Sequence, residues 1–251
     1  MDADGVFCLC VIPARGGSKA LPGKNLAQVG GKSLVRRAAE AALASGRCDR
    51  VVCSTDSDAI AAEAARAGAY VPFRRPAELA GDTAATFDVV LHALRHVEAE
   101  TGRSVDLVCL VEPTTPLRGA EDIRAVVDLL TSSRPPADSA VSVCEVTDAH
   151  PAWLRKIRDG LLGPYFEDTP EPTRRQDLAR LPTPYRRNGA VYVTRRDVLI
   201  EQRSLYGRRC LAYVMPPERS VNIDTELDLV CARAILAHRE KTGNMMNAER
   251  E

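Results

Sequence analysis

Lysine is scarce in this chain. Of 34 Lys+Arg residues only Lys19, Lys24, Lys32, Lys156 and Lys241 are lysines, and three of these crowd into residues 19–32. Aromatic residues make up only 4% of the 251 positions. Net charge is missing as well, because the 34 positive residues face 34 Asp+Glu. A dedicated nucleic-acid binder is usually strongly basic, so that balance argues against the class. No apolar run approaches the ~18 residues of a membrane span. The acidic start Met1-Asp2-Ala3-Asp4 lacks the positive region of a secretory signal. The expectation is a cytoplasmic protein that engages neither nucleic acid nor membrane.

Paired metal-ligand spacings are absent too. The chain has 8 cysteines but no Cys-x-x-Cys, and His92, His96, His150 and His238 form no ligand cluster with them. Cys8, Cys10, Cys53, Cys109 and Cys144 lie inside apolar segments and read as buried free thiols acting as small hydrophobes. His92 and His96 are one helical turn apart without the Glu of a zinc-binding His-Glu-x-x-His, and read as packing or surface residues.

What is present is a core-forming composition, 45% hydrophobic and 27% charged, in a length that suits one α/β domain over residues 1–251. Short apolar runs at 6–12, 51–54, 105–111 and 139–146 read as strands. Ala-rich amphipathic stretches at 34–44, 59–67, 86–100 and 122–130 read as helices. Such alternation predicts an α/β, Rossmann-like, largely parallel twisted sheet with helices on both faces. Ligands of these sheets bind beyond the carboxyl ends of the strands. The pattern breaks over residues 150–185, where six prolines and many charges indicate a small insertion: a dimerisation arm, a substrate lid, or both. Strand-like segments return at 189–194 and 211–215. A helix over 225–238 closes the domain, with a frayed polar tail expected after Lys241.

Strand 1 leads into Pro13-Ala14-Arg15-Gly16-Gly17-Ser18-Lys19-Ala20-Leu21-Pro22-Gly23-Lys24-Asn25. Paired glycines let backbone N–H groups approach an anion, and Arg15, Lys19 and Lys24 add three cations without a carboxylate in the loop. That concentration suits a triphosphate. Neither nucleotide-binding fingerprint fits. Gly17 to Gly23 is one residue too long for a Walker loop, with Asn25 where the hydroxyl belongs. Before Gly31-Lys32-Ser33, Leu26 occupies the required first glycine. The Gly-x-Gly-x-x-Gly of dinucleotide binders is absent.

The sequence resembles the acylneuraminate cytidylyltransferases, the CMP-sialic acid synthetases and their legionaminate and pseudaminate relatives. The likeness begins at Ala14-Arg15-Gly16-Gly17-Ser18-Lys19 with Gly23-Lys24-Asn25. It continues through Ser54-Thr55-Asp56, the segment 75–82, and Glu112-Pro113-Thr114-Thr115-Pro116-Leu117-Arg118. Later matches are Arg174-Arg175-Gln176-Asp177-Leu178, the segment 187–192 and the segment 219–228. In order, these motifs cover nearly the whole chain. The Gly-x-Gly-Thr-Arg opening typical of sugar-1-phosphate nucleotidyltransferases is absent.

The resemblance implies transfer of CMP from CTP to the anomeric hydroxyl of a nine-carbon 2-keto sugar acid, with release of pyrophosphate. It implies that Arg15, Gly17, Ser18, Lys19 and Lys24 hold the triphosphate, with Arg15 and Lys19 catalytic. Asn25 and Arg75 would contact the nucleotide, and Ala84 and Thr86 its base and ribose. Charge spreading on the α-phosphate and pyrophosphate is what fixed cations and Mg²⁺ stabilise. The resemblance assigns Asp224 to Mg²⁺, with Asn222 where relatives usually carry a second aspartate. Asp224 also reads as the N-cap of the last helix, and the two roles are compatible. Asp228 reads as a capping-support residue. Glu112 stands where sialate-specific relatives usually have glutamine. Arg175, or its neighbour Arg174, is the candidate for the sugar carboxylate, because a guanidinium binds one bidentately, with Lys156, Gln176 and Asn188 completing the pocket. Trp153, Tyr165 and Phe166 in the insertion suggest a homodimer interface. Glu112 and Asn222 leave open an acidic acceptor of another kind, such as a phosphonate, or an inactive nucleotide-binding regulatory module.

Overall fold

The computed structural model describes residues 5–147, 149–167, 172 and 174–248, without the side chains of 175 and 243–248. Ten strands and six α-helices follow one another as β1 (Cys8–Pro13), β2 (Gln28–Val29), β3 (Lys32–Ser33), α1 (Leu34–Ala44), β4 (Arg50–Ser54), α2 (Asp58–Arg66), α3 (Thr86–Thr101), β5 (Leu107–Leu110), α4 (Ala120–Thr131), β6 (Ser139–Glu145), β7 (Arg155–Arg158), β8 (Leu161–Pro164), β9 (Tyr185–Arg195), α5 (Arg196–Glu201), β10 (Cys210–Val214) and α6 (Glu226–Ala248).

Six strands form the central sheet in the order β10-β6-β9-β5-β1-β4. β1 pairs in parallel with β4 and β5, and β6 with β10. Strand β1 is covered on both faces, which is why it reads as an unbroken apolar run. Cys8, Cys10 and Ile12 pack with α1 and α4 residues such as Val35, Ala38, Ile123 and Val126. Leu9 and Val11 pack on the opposite face with Val90 and Leu94 of α3. Local signals start the helices where the sequence places them. The Ser33 hydroxyl accepts the Arg36 N–H at 3.2 Å at the head of α1, and Ser57 accepts that of Ile60 at 3.5 Å at the head of α2. Gly102, at φ 64°, ends α3 in the left-handed region.

The expected mostly parallel α/β sheet is present, with one reversal. Strand β9 runs antiparallel to both β5 and β6. β6 and β9 are therefore the two legs of a long hairpin whose connection, residues 146–184, must leave the sheet at the carboxyl edge of the parallel strands. That connection carries the small antiparallel pair β7 and β8. The β6–β9 register shifts between Val141 and Val143. Across the shift, the Ser142 hydroxyl donates to the Val191 carbonyl at 3.0 Å and accepts the Val191 N–H at 2.8 Å.

Two expectations about the last helix change. α6 continues to Ala248, so the polar tail after Lys241 stays helical. Its start is capped by Thr225, whose hydroxyl accepts the Asp228 N–H at 3.3 Å, while Asp228 Oδ2 accepts the Thr225 N–H at 2.7 Å. Thr225 rather than Asp224 is the N-cap, and Asp228 is its support. No helix among the described residues is long and apolar enough to cross a membrane. His92 and His96 meet the Phe73 ring edge-on at 4.5 and 4.8 Å between centroids, as packing residues.

Candidate functional site

At the carboxyl ends of β1, β4 and β5 lies a cavity of about 450 Å³. Its lining includes Arg15, Ser18, Lys24 and Asn25 from the first loop, Arg75, and Ala84 and Thr86 at the start of α3. Glu112 enters from the loop after β5, and Asn222 and Asp224 from the segment before α6. Ten sequence candidates from four separated stretches thus converge on one opening, with Asp82 from the loop that precedes α3.

The first loop is held from below. The Asn25 amide donates to the Arg15 carbonyl at 2.9 Å, and Asn25 is buried. Gly16 lies against the β4–α2 turn, where its N–H donates to Asp56 Oδ1 at 2.7 Å and a Cβ would meet Ser57 Cβ at 3.1 Å. That N–H is therefore already engaged. Gly17 faces open space, with nothing within 4 Å of a built Cβ. Arg75 is 5% exposed, and its guanidinium donates to the Ser54 hydroxyl at 3.1 Å and to the Ser54 carbonyl. Burial draws its pKa down, against the opposing charge of Asp56.

The cations do not form the unbalanced positive pocket that the loop alone suggests. Arg15 Nη1 meets Asp82 Oδ1 at 2.8 Å, and Lys19 Nζ meets Asp82 Oδ2 at 2.5 Å. The two cations, Lys19 first, hold the Asp82 carboxyl below its usual range. Lys19 is 85% exposed and does not line the cavity. Lys24 is more sheltered and reaches Asp224 Oδ1 at 3.1 Å. In the lining, Arg15, Lys24 and Arg75 are balanced by Asp82, Glu112 and Asp224. In the sequence Asp82 is only the end of a motif, and nothing local announces it as a partner 67 residues from Arg15.

On the opposite wall the Asn222 amide donates to Asp224 Oδ2 at 2.5 Å, leaving the Asn222 carbonyl oxygen 3.5 Å from the Thr115 hydroxyl. Gly189 closes against this group. At φ 72° a Cβ there would come within 2.9 Å of Glu112 Oε2 and 3.3 Å of Asn222 Oδ1, so the position calls for glycine twice over. Burial raises the Glu112 pKa, opposed by Arg118. Arg118 does not pair with the Glu112 carboxylate through a hydrogen bond. Its guanidinium donates to the backbone carbonyls of Glu112 and of Ala190, the latter at 2.9 Å. Asn222 and Asp224 set oxygen donors side by side on this wall, the hard type that divalent cations such as Mg²⁺ take.

Four sugar-site candidates lie elsewhere. Asn188 is 1% exposed and its amide is wholly engaged within the protein: it accepts from Ser142 at 2.7 Å and from the Ala190 N–H at 3.2 Å, and donates to Ser220 at 2.9 Å. It buckles β6, β9 and the segment before α6 together rather than facing the cavity. Lys156, on β7, pairs with Glu167 at 2.8 Å. Gln176 is exposed in the 3₁₀ turn Arg175–Arg180, and the Arg175 side chain is outside the described residues. Neither Lys156 nor Gln176 lines the cavity.

Comparison with known proteins gives the family and the fold. A family profile described as "Cytidylyltransferase" matches residues 9–210. The chain is 34% identical to a CMP-N,N'-diacetyllegionaminic acid synthase of Legionella pneumophila, over 88% of this chain and 92% of that protein. It is 29% identical to a pseudaminic acid cytidylyltransferase of Campylobacter jejuni, over 90% and 95% of the respective lengths. An N-acylneuraminate cytidylyltransferase of Streptococcus agalactiae is 31% identical over 88% of this chain, which spans 51% of that longer protein. In fold, the chain resembles a CMP:2-keto-3-deoxy-manno-octonic acid synthetase complexed with CTP, with a TM-score of 0.67, 20% identity and coverage of 93% and 99%. The chain belongs to the cytidylyltransferase family.

Proposed function

We propose that this protein transfers CMP from CTP to the anomeric hydroxyl of a nine-carbon 2-keto sugar acid of the sialic or legionaminic type, releasing pyrophosphate. The observation that carries this reading is the single cavity in which Arg15, Lys24 and Arg75 face Asp224, Asn222 and Glu112. Cations on one wall suit a triphosphate; oxygen donors on the other suit a divalent cation and a hydroxylated acid.

In this reading the acceptor oxygen forms a bond to the α-phosphorus as the bond from that phosphorus to the bridging oxygen breaks. Arg15, Lys19 and Lys24 exchange Asp82 and Asp224 for phosphate oxygens and neutralise the departing pyrophosphate. Losing one such donor costs about 3–4 kcal/mol of barrier. Asn25 and Arg75 hold the loop and the cavity floor in shape before substrate arrives, and Ala84 and Thr86 border the nucleoside. Asp224 and Asn222 would hold Mg²⁺, which when bound supplies Lewis-acid withdrawal of charge from the phosphates. No covalent enzyme intermediate is required.

The same reading covers the assembly. Ile157, Leu161 and Leu162 on the β7–β8 pair are 70–75% exposed, and Tyr165 and Phe166 follow them half in solvent. A contiguous apolar arm at the carboxyl edge of the sheet suits a homodimer interface. In a dimer, Lys156, Arg175 and Gln176 would serve a site that the partner helps to enclose. The deciding assay follows pyrophosphate release from CTP with sialate, legionaminate, pseudaminate and deaminated sialate. Turnover with at least one is expected, and none with any of the four overturns the sugar assignment. Sedimentation of the full chain and of Ile157→Asp/Leu162→Asp tests the arm: dimer for the first, monomer for the second.

A further inference from the structure

On the α1/α4 face of the sheet, three thiols that do not line the cavity meet although no sequence spacing joins them. Cys10 lies on β1, Cys109 on β5, and Cys48 on the turn between α1 and β4. Cys10 and Cys109 are register partners across the parallel β1–β5 ladder. The Sγ atoms of Cys10, Cys48 and Cys109 all lie within 4.8 Å of one another. Cys10 and Cys109 are fully buried, and Cys48 is half-buried, so the group opens to solvent on one side only.

We propose that Cys10, Cys48 and Cys109 form a binding site for a thiophilic divalent d¹⁰ cation such as Zn²⁺. Three metal–sulfur bonds of about 2.3 Å in a plane place the sulfurs roughly 4 Å apart. The observed cluster needs less than an ångström of movement per thiol to close on a metal. Soft thiolates with apolar walls select this class over Mg²⁺ or Ca²⁺, which take oxygen. As each metal–sulfur bond forms, one thiol proton goes to solvent and the ion sheds water; no electron is transferred.

A second observation sets the charge. Arg118 is 4% exposed, and its Nη1 has no hydrogen-bond partner among the described residues. Burial draws the guanidinium down to about 10, opposed first by Cys10 and then by Glu112, Cys109 and Asp122. Three thiolates around a divalent ion carry one net negative charge, which a neighbouring guanidinium neutralises. A monovalent ion such as Cu⁺ would leave one buried negative charge unbalanced, so the divalent ion is favoured. The buried Ser45 hydroxyl, which donates to the Ala42 carbonyl at 2.6 Å, lies 3.8 Å from Cys48 Sγ.

The test uses the full chain carrying Cys210→Ser and Cys231→Ser, which removes the two exposed thiols. Metal-free protein in a phosphine reductant is titrated with Co²⁺ and then Zn²⁺, without CTP. The expected result is one Co²⁺ per chain with a thiolate-to-cobalt charge-transfer band, displaced by one Zn²⁺, and a melting temperature several degrees higher with Zn²⁺. Adding Cys48→Ser should remove both the band and the shift while the protein still melts cooperatively. Cys48→Ala gives the same reading should the serine variant fail to fold. Absence of the band, its survival in the Cys48 variants, or a chain lighter by two hydrogens when prepared without reductant would each overturn the proposal, the last in favour of a disulfide. None of these readouts involves nucleotide transfer, so the outcome is independent of the proposed activity.

Discussion

Lys24 Nζ stands 3.1 Å from Asp224 Oδ1, joining the first loop to the segment before the last helix across 200 residues of sequence. The pair unites the candidate triphosphate clamp with the candidate metal carboxylate in one contact, and both must let go when ligands enter. Because Asp224 is 64% exposed, the pair contributes under about 1 kcal/mol to folding. Lys24→Ala should therefore melt within a few degrees of the parent and lose about 10²–10³ in kcat/KM for CTP. Pyrophosphate release beside a thermal melt checks both numbers, and a large fall in stability with activity intact would contradict them.

Asp82 occupies Arg15 and Lys19 as an internal anion. A triphosphate has to displace it, so the carboxylate opposes binding by the small amount that exposed, solvent-screened pairs are worth. Asp82→Asn should tighten CTP binding by up to about fivefold in calorimetry at low salt, and the gain should shrink as salt is raised. Weaker binding by the variant would mean that Asp82 instead preorganises the two cations.

Much of this was readable in advance, for identifiable reasons. The apolar run before Pro13 and the Ser33 and Ser57 caps are local signals, and they mark β1, α1 and α2 to within about two residues. The direction of β9 was not readable, because an unbroken buried run such as 188–194 looks the same in a parallel and an antiparallel strand. The Asp82 contacts and the Cys10–Cys48–Cys109 cluster depend on which loops and strands become neighbours, information that spacing along the chain does not carry. The capping of α6 was legible as Thr225-x-x-Asp228, yet Asp224 next to it drew the reading. Asn188 carried a family motif, but its amide proves to be the buckle between β6 and β9.

Glu112 gives a pH-dependent prediction. Burial raises its pKa in the folded protein, so the folded state favours the protonated acid. Ionisation therefore costs stability above the folded pKa, and that cost vanishes below the ordinary carboxylate range of about 4.3. Glu112→Gln should be more stable than the parent at pH 8 and no more stable at pH 4, as read from paired denaturant midpoints. The same change removes a charge that repels an acceptor carboxylate. It should raise kcat/KM for sialate relative to the parent's preferred acid, and an unchanged acceptor ratio would detach Glu112 from the sugar.

Asn222 offers the sharpest test of the metal assignment. Its amide now donates to Asp224 Oδ2 at 2.5 Å, whereas an aspartate there would set two carboxylates against each other. Without metal, Asn222→Asp should lower the melting temperature, because the donor is replaced by a like charge. With Mg²⁺ that penalty should be offset, since hard cations gain affinity with each added carboxylate. The Mg²⁺ concentration for half-maximal rate should fall several-fold, with kcat changing much less if Asn222 already acts as a ligand through its carbonyl. A variant that gains activity from none would instead mark the native chain as a decayed enzyme. One whose Mg²⁺ requirement and melting curve both stay put would remove Asn222 from the metal site.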